Sequence, residues 1–399
     1  MKWRILIQAV IVILLTGCAS VNPRNVIPPE LVDEVQIPGI PNARFWGDDV
    51  SPELEDRMKT MTRAEIYEEV PALAGQAHNY LAISGGGAEG AFGAGLLVGW
   101  SEAGSRPDFQ MVTGISTGAI IAPWVFLGSE FDHVLRKIYT TTSTDDLLRY
   151  RAWIEVPFSD AIADSTPIME LIRMHIDDDV IESIAAEYRK GRRLFIGTTD
   201  LNHMRLRIWN IGAIAASGLP HARDLIHKII LASASIPGIF PPVSIDVAAG
   251  GTRYTELHVD GGLSTQVFVY PAATDWHAML ERLEVPAMPN IYVIRNATLT
   301  PDRKELKPTL IPIAGRSVTS LIRTQGIGDL YLIYMLTRRD GGNYHLAYVP
   351  DAYDDVEPSE LFDTAYMQRL FAHGYEQAVN GYPWSNRPPG WMKPFGTEK

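Results

Sequence analysis

Ser116 lies in Gly114-Ile115-Ser116-Thr117-Gly118, the G-x-S-x-G spacing that lifts a serine out of a tight strand-to-helix turn. A hydroxyl held there, at a helix N-terminus, is a candidate nucleophile. About 30 residues upstream, Gly85-Gly86-Gly87 leaves backbone N–H groups with no side chains in the way. Such donors can hold the oxyanion of a tetrahedral intermediate, and losing one typically costs ~100- to 1,000-fold in rate. A serine and a row of free amides point to acyl transfer.

These groups need a scaffold that brings both glycine turns to one place. An apolar strand, Tyr80 to Ile83, runs into the glycine loop, and a helix is expected from Ala91 to about Glu102. A second strand near Phe109 to Val112 leads into the elbow, and Ala119 to Leu127 reads as the next helix. A right-handed crossover lays the two strands side by side and parallel, with both loops at their carboxyl ends. Open α/β sheets place their sites at such ends.

These residues resemble the patatin-like phospholipases, whose signatures are a G-G-G-x-(Arg/Lys)-G loop, a G-x-S-x-G elbow and a downstream Asp-Gly-Gly or Asp-Gly-Ala. The third piece is Val259-Asp260-Gly261-Gly262, with Asp260 144 residues after Ser116. Ala232 to Pro242 is similar to the segment these enzymes carry before the aspartate, and the likeness covers roughly residues 78 to 265. The resemblance implies a three-layer α/β/α fold with a mainly parallel central sheet, a lipid ester substrate and no cofactor. It implies that Asp260 acts directly on Ser116 as base, without a histidine, while the Gly85, Gly86 and Gly87 amides hold the oxyanion. A carboxylate is a weak base for a hydroxyl, so the pair needs partial burial to raise its basicity. Glu89 stands where the family has Arg or Lys. An acid is favoured at a helix N-terminus by the dipole, or its charge disfavours anionic head groups.

Three other readings compete. A Ser-Asp-His triad would need a histidine after the aspartate, and His277, His345 and His373 are available without motif-like flanks. Gly85-x-Gly87-x-x-Gly90 also satisfies the dinucleotide-binding pattern, but no acid closes the second strand where one is wanted. A catalytically inactive lipoprotein that binds lipid or a partner is the third. A second Asp-Gly-Gly, at Asp340, reads as a hairpin turn, and Asp177-Asp178-Asp179 as a solvated turn rather than a calcium loop. Asp200, at a strand end, is a candidate for polar support.

The start of the chain bears on location. Met1-Lys2-Trp3-Arg4 is basic, Ile5 to Leu15 is apolar, and Leu15-Thr16-Gly17-Cys18 resembles the bacterial lipobox. The apolar run is short for a transmembrane helix and has the layout of a signal peptide. Cys18 is the only cysteine, which excludes an internal disulfide and fits lipidation. Ala19 and Ser20 resemble an outer-membrane sorting signal, so a lipid-anchored protein of the bacterial cell envelope is expected.

Formal charge is −12 over 399 residues, and removing Lys2 and Arg4 with residues 1–17 leaves −14. That argues against nucleic acid as a partner and places the membrane link in the acyl chains. With 46% apolar and 21% charged residues, the body is that of a folded globular domain. The expected divisions are a signal peptide (1–17), a lipidated cysteine with tether and N-terminal helix (18–75), a catalytic domain (76–385) and an irregular tail (386–399). Residues 19–49 read as a tether, Ser51-Pro52-Glu53 as a helix start, and about Phe131 to Arg189 as mostly helical. Strands are expected at 194–200, 206–210, 243–247, 254–259 and 290–296, and helices at 225–234, 311–337 and 364–379.

Overall fold

Short apolar runs pair in parallel at the centre of the molecule. The computed structural model describes residues 24–50, 59–301, 305–351 and 358–391. The expected signal peptide, Cys18, the Ser51-Pro52-Glu53 helix start and the last residues of the tail lie outside them. The strands in chain order are β1 (Arg44–Trp46), β2 (Asn79–Ile83), β3 (Met111–Ile115), β4 (Arg149–Tyr150) and β5 (Ala163–Asp164). After them come β6 (Arg193–Asp200), β7 (Arg205–Asn210), β8 (Val243–Ala249), β9 (Thr252–Asp260), β10 (Asn290–Arg295) and β11 (Asn343–Tyr348). The helices begin with α1 (Arg63–Glu69), α2 (Gly90–Glu102), α3 (Thr117–Leu127), α4 (Asp132–Thr141) and α5 (Thr144–Leu147). They continue as α6 (Thr166–His175), α7 (Asp178–Arg189), α8 (Ile211–Ala216), α9 (Ala222–Ser233), α10 (Trp276–Arg282), α11 (Leu310–Arg339) and α12 (Thr364–Val379).

β6, β3, β2, β10 and β11 are parallel neighbours in that order, and β7 and then β1 add to β6 antiparallel. The central strands are apolar on both sides because both faces are covered. Leu81 and Ile83 pack with Phe92, Ala119 and Phe371 of α2, α3 and α12. Tyr80 and Ala82, pointing the other way, meet Leu330 and Ile333 of α11. This is the expected three-layer α/β/α fold with a mainly parallel sheet. Both α2 and α3 are buried almost all round, because each is sandwiched between the sheet and an outer helix.

Two expectations change. The segment read as a tether is packed: Ile27, Val35, Ile37, Ile40 and Trp46 are buried, and β1 joins the sheet. Arg44 of β1 pairs with buried Glu256, which anchors the segment more firmly than its proline content suggests. The stretch read as mostly helical holds α4 to α7 but also a two-stranded excursion, β4 with β5. Its backbone bonds go to the proline-bound loop, Ile162 N–H to the Gly238 carbonyl and Ala163 N–H to that of Ile239, each at 3.0 Å. Further upstream, the helix before β2 is capped at Thr62, whose side chain and Glu65 form a capping box.

Candidate active site

β6 is the ruler of the site. One of its edges is occupied by β7 along its whole upper half. On the other edge β3 rises until Ile115 stands opposite Gly197, and β9 descends until Asp260 stands opposite Thr198. The two strands therefore meet end to end on consecutive rungs of β6. The residue following Ile115 is Ser116. A separation of 144 positions in the chain closes, and the Ser116 hydroxyl lies near enough to favour the charged form of the Asp260 carboxyl.

The elbow is strained. Ser116 has φ 55° and ψ −123°, a conformation that costs a non-glycine residue of order 1–3 kcal/mol. Its backbone is held by Ser233, whose hydroxyl accepts the Ser116 N–H at 2.9 Å and donates to the Gly197 carbonyl at 2.7 Å. Gly118 has to be glycine because a Cβ there would run into the Ile83 and Ser84 carbonyls of the neighbouring strand end. The sequence contained Ser233 within Ala232 to Pro242, yet nothing in its type distinguishes it from Ser235 beside it.

The glycine loop is folded against Asn296, at the end of β10. Asn296 donates to the Ser84 hydroxyl from its backbone (2.8 Å) and to the Ser84 carbonyl from its side chain (3.0 Å). A Cβ on Gly86 would collide with the Asn296 carbonyl. Gly85, expected as an oxyanion donor, gives its N–H to the Gln266 carbonyl at 3.2 Å. Among the described residues, the Gly86 and Gly87 N–H groups have no protein acceptor. The first turn of α3 faces the same place with its own positive end.

Burial sets the electrostatics. Asp260 is buried and its carboxyl is pushed up to about 6, opposed by the Ser116 hydroxyl and by the hydrogen bond from the Gly262 N–H at 2.7 Å. A carboxylate lifted this far is a better base than a surface aspartate and still ionised at neutral pH.

Behind these residues lies a layer that sequence reasoning missed. Gln266 accepts the Gly85 N–H on its carbonyl and donates from its side chain to the Gly262 carbonyl at 2.7 Å. Its own N–H goes to Asp329 of α11 at 2.7 Å. Burial pushes the Asp329 carboxyl up to about 6, against the Gln266 and Val267 N–H groups and Arg295. Burial also lowers the Arg295 guanidinium, and the charges of Asp329 and Glu89 oppose that. Glu89 is thus half-buried within the field of a cation delivered by β10, so its charge is not simply presented to solvent. The only signal for this in the sequence is the acid at position 89 itself.

The remaining candidates fall elsewhere. His277 is exposed beside Glu281, His345 stacks on Tyr292, and His373 contacts Gln377 on α12. Asp340 is not in a hairpin: it ends α11 and accepts from Tyr270 and Arg339, at the opposite edge of the sheet from Ser116. Asp177 caps α7 through the Val180 N–H, and Asp178 pairs with Arg223. Asp200 braces the turn to β7 by accepting from Asn202, His203 and the His203 ring. With Glu256 and His258 it brings ligand-type atoms within 4.8 Å of one another. Arg44 and Arg207 already lie against Glu256, whose carboxyl Arg44 and His258 hold well below the usual range despite its burial. The group is a buried ion network that ties β1, β7 and β9 together.

No curated protein sequence matches the chain. Among solved structures, the crystal structure of VipD from Legionella pneumophila is similar at 14% identity with a TM-score of 0.35. The likeness covers 76% of this chain and 66% of that one. The family model for patatin-like phospholipases matches residues 81–273. That match starts inside β2 and ends beyond Asp260, taking in both glycine turns and the two strands that meet at Ser116. Residues 81–273, just under half of the chain, thus form a patatin-like phospholipase domain.

Proposed function

We propose that the chain is a membrane-anchored serine hydrolase that cleaves carboxylic esters of lipids through Ser116 and Asp260. The feature that supports this reading is the ending of β3 and β9 on consecutive rungs of β6, which brings the Ser116 hydroxyl beside the buried Asp260 carboxylate. As the Ser116 oxygen bonds to the ester carbonyl carbon, its proton passes to Asp260. The carbonyl electron pair moves onto oxygen, which lies before the Gly86 and Gly87 N–H groups and the start of α3. Collapse of this intermediate breaks the ester C–O bond, and the leaving alkoxide takes the proton from Asp260. Water then gives a proton to Asp260 as it attacks the acyl-serine, and the second collapse returns that proton to Ser116. Gly85 supports the loop rather than donating to the oxyanion.

The anchor belongs to the same proposal. Cys18, in its lipobox-like setting, is the residue to carry the acyl chains, and the outer membrane of the cell envelope is the location. Each buried CH₂ of such a chain contributes ~0.8 kcal/mol. An active-site-directed fluorophosphonate tests the catalytic part. Labelling confined to Ser116 is expected, and a folded protein that takes up no label would mark an inactive lipid-binding member.

A further inference from the structure

We propose that the sheet edge carrying Ser116 is itself a docking surface for a lipid bilayer, formed by the N-terminal half of α11 and the β4–β5 excursion. The choice of a bilayer as partner rests on the lipid-ester reading above.

α11 connects the parallel strands β10 and β11, so it starts at the carboxyl edge of the sheet and returns to the opposite edge. Thirty residues of helix are ~45 Å long, whereas a six-residue strand spans ~20 Å. The surplus must lie at one end. At the lower end only three residues separate Arg339 from β11, and Gly342 and Asn343 are bound to Thr337 and Pro289. At the upper end, Gln325 donates to the Ser264 carbonyl and Asp329 binds Gln266, which places residues 325–329 level with the catalytic loop. Residues 310–324 therefore extend ~20 Å past the site.

The surface of that extension suits a membrane. Leu310 is 82% exposed and Leu321 70%, and Ile313 and Val318 are exposed between them. From Leu306 to Gly328 the sequence holds Lys307, Arg316 and Arg323 and no acidic residue, in a chain of net charge −12, with Arg323 turned in to the Leu299 carbonyl. A locally basic, apolar helix is attracted to anionic lipid that the rest of the surface repels. Among the described residues no helix is long and apolar enough to cross a membrane, so α11 lies on it.

The β4–β5 excursion rises from the same edge. It follows α5, whose Thr144 hydroxyl accepts from the Phe362 N–H just before α12, and it is bonded to the loop that runs into Ser235 and Asp260. Trp153 is 84% exposed and Phe158 71%, side chains that partition to the bilayer interface. The chain also enters the body here. Asn25 is bonded to Thr255 and Arg253, on the part of β9 that continues past the end of β6. Six residues lie between Cys18 and Asn25, seven steps of chain with a reach of ~25 Å. An acyl anchor at Cys18 would hold this edge toward the lipid.

The full chain carrying Cys18→Ser has no other cysteine, so single cysteines can be placed and labelled with an environment-sensitive fluorophore. Leu310→Cys and Trp153→Cys probe the edge, and Met288→Cys, exposed beside the start of β10, probes the opposite one. With vesicles of phosphatidylcholine and phosphatidylglycerol, the labels at 310 and 153 should shift to the blue and brighten, and the label at 288 should not. Equal responses at the three positions, or none, overturn the proposal. Protection at 310 and 153 without vesicles, together with dimer formation, would give the face to a second copy and also overturn it. Replacing Leu310 and Leu321 by Glu should lower turnover of vesicle lipid about tenfold or more and leave a water-soluble short-chain ester nearly untouched. If the labels respond but Ser116 takes up no fluorophosphonate, the surface stands and the esterase reading falls. Labelled Ser116 with silent fluorophores means the reverse.

Discussion

The Ser233 hydroxyl bridges the Ser116 N–H and the Gly197 carbonyl, at 2.9 and 2.7 Å. It therefore joins the strained elbow to the rung of β6 on which β3 ends. Ser233→Ala removes the acceptor of the buried Ser116 N–H and a donor to the Gly197 carbonyl. A loss of ~1–3 kcal/mol is expected, with a fall in kcat as the elbow relaxes. Thermal unfolding and steady-state kinetics check this, and an unchanged melting temperature would refute it.

Ser116→Ala and Asp260→Asn should each abolish ester hydrolysis, and the double variant should be little worse than either, because the pair acts as one unit. His277→Ala, His345→Ala and His373→Ala should keep most activity, since none of these rings contacts the pair. A loss of several orders of magnitude in one of them would restore the triad.

The pH dependence follows from burial. Asp260 must be ionised to act as base, so kcat/KM should rise through about pH 6 and level off above it. Asp329 titrates in the same range, so the rise should persist in Asp329→Asn if it belongs to Asp260.

The same carboxyl destabilises the fold at neutral pH. Its folded pKa is raised, so the native state holds the proton more tightly than the unfolded chain does. The stability this confers is complete below about 3.8 and is lost as the pH rises through about 6. Asp260→Asn should therefore be more stable than the parent at pH 8, by of order 1–3 kcal/mol, with the difference shrinking below pH 5. Denaturant unfolding at the two pH values decides the matter.

Glu89→Arg should place a cation in the field of Arg295, lowering stability by ~1 kcal/mol while weakening discrimination against anionic head groups. The ratio of kcat/KM for phosphatidylcholine over phosphatidylglycerol, measured in both proteins, reads the second effect. An unchanged ratio would mean that Arg295 alone answers the Glu89 charge.

Cys18→Ala should accumulate as unprocessed precursor or fail to take up labelled palmitate. Equal labelling in that variant would remove the anchor.

Much of the candidate site was legible in the sequence. The elbow, the glycine loop and the strands and helices around them are local events, written in glycine spacing and apolar period. The β8–β9 hairpin that delivers Asp260 was readable for the same reason. Gly85 was misassigned because an N–H donor looks alike whether its acceptor is substrate or Gln266, and that acceptor lies far along the chain.

The sequence by itself determined the serine elbow, the glycine loop and the order of the central elements, since each depends on neighbours within one turn or one strand. Only the tertiary structure decided that β3 and β9 end on adjacent rungs of β6, so that Ser116 meets Asp260, because strand register depends on partners far apart in the chain. The same holds for Ser233, Gln266, Asp329 and Arg295, ordinary polar residues whose roles come from where α9, the loop after β9, α11 and β10 place them. It holds as well for α11, expected as a helix, whose first half is exposed because the strands it spans are too short to cover it.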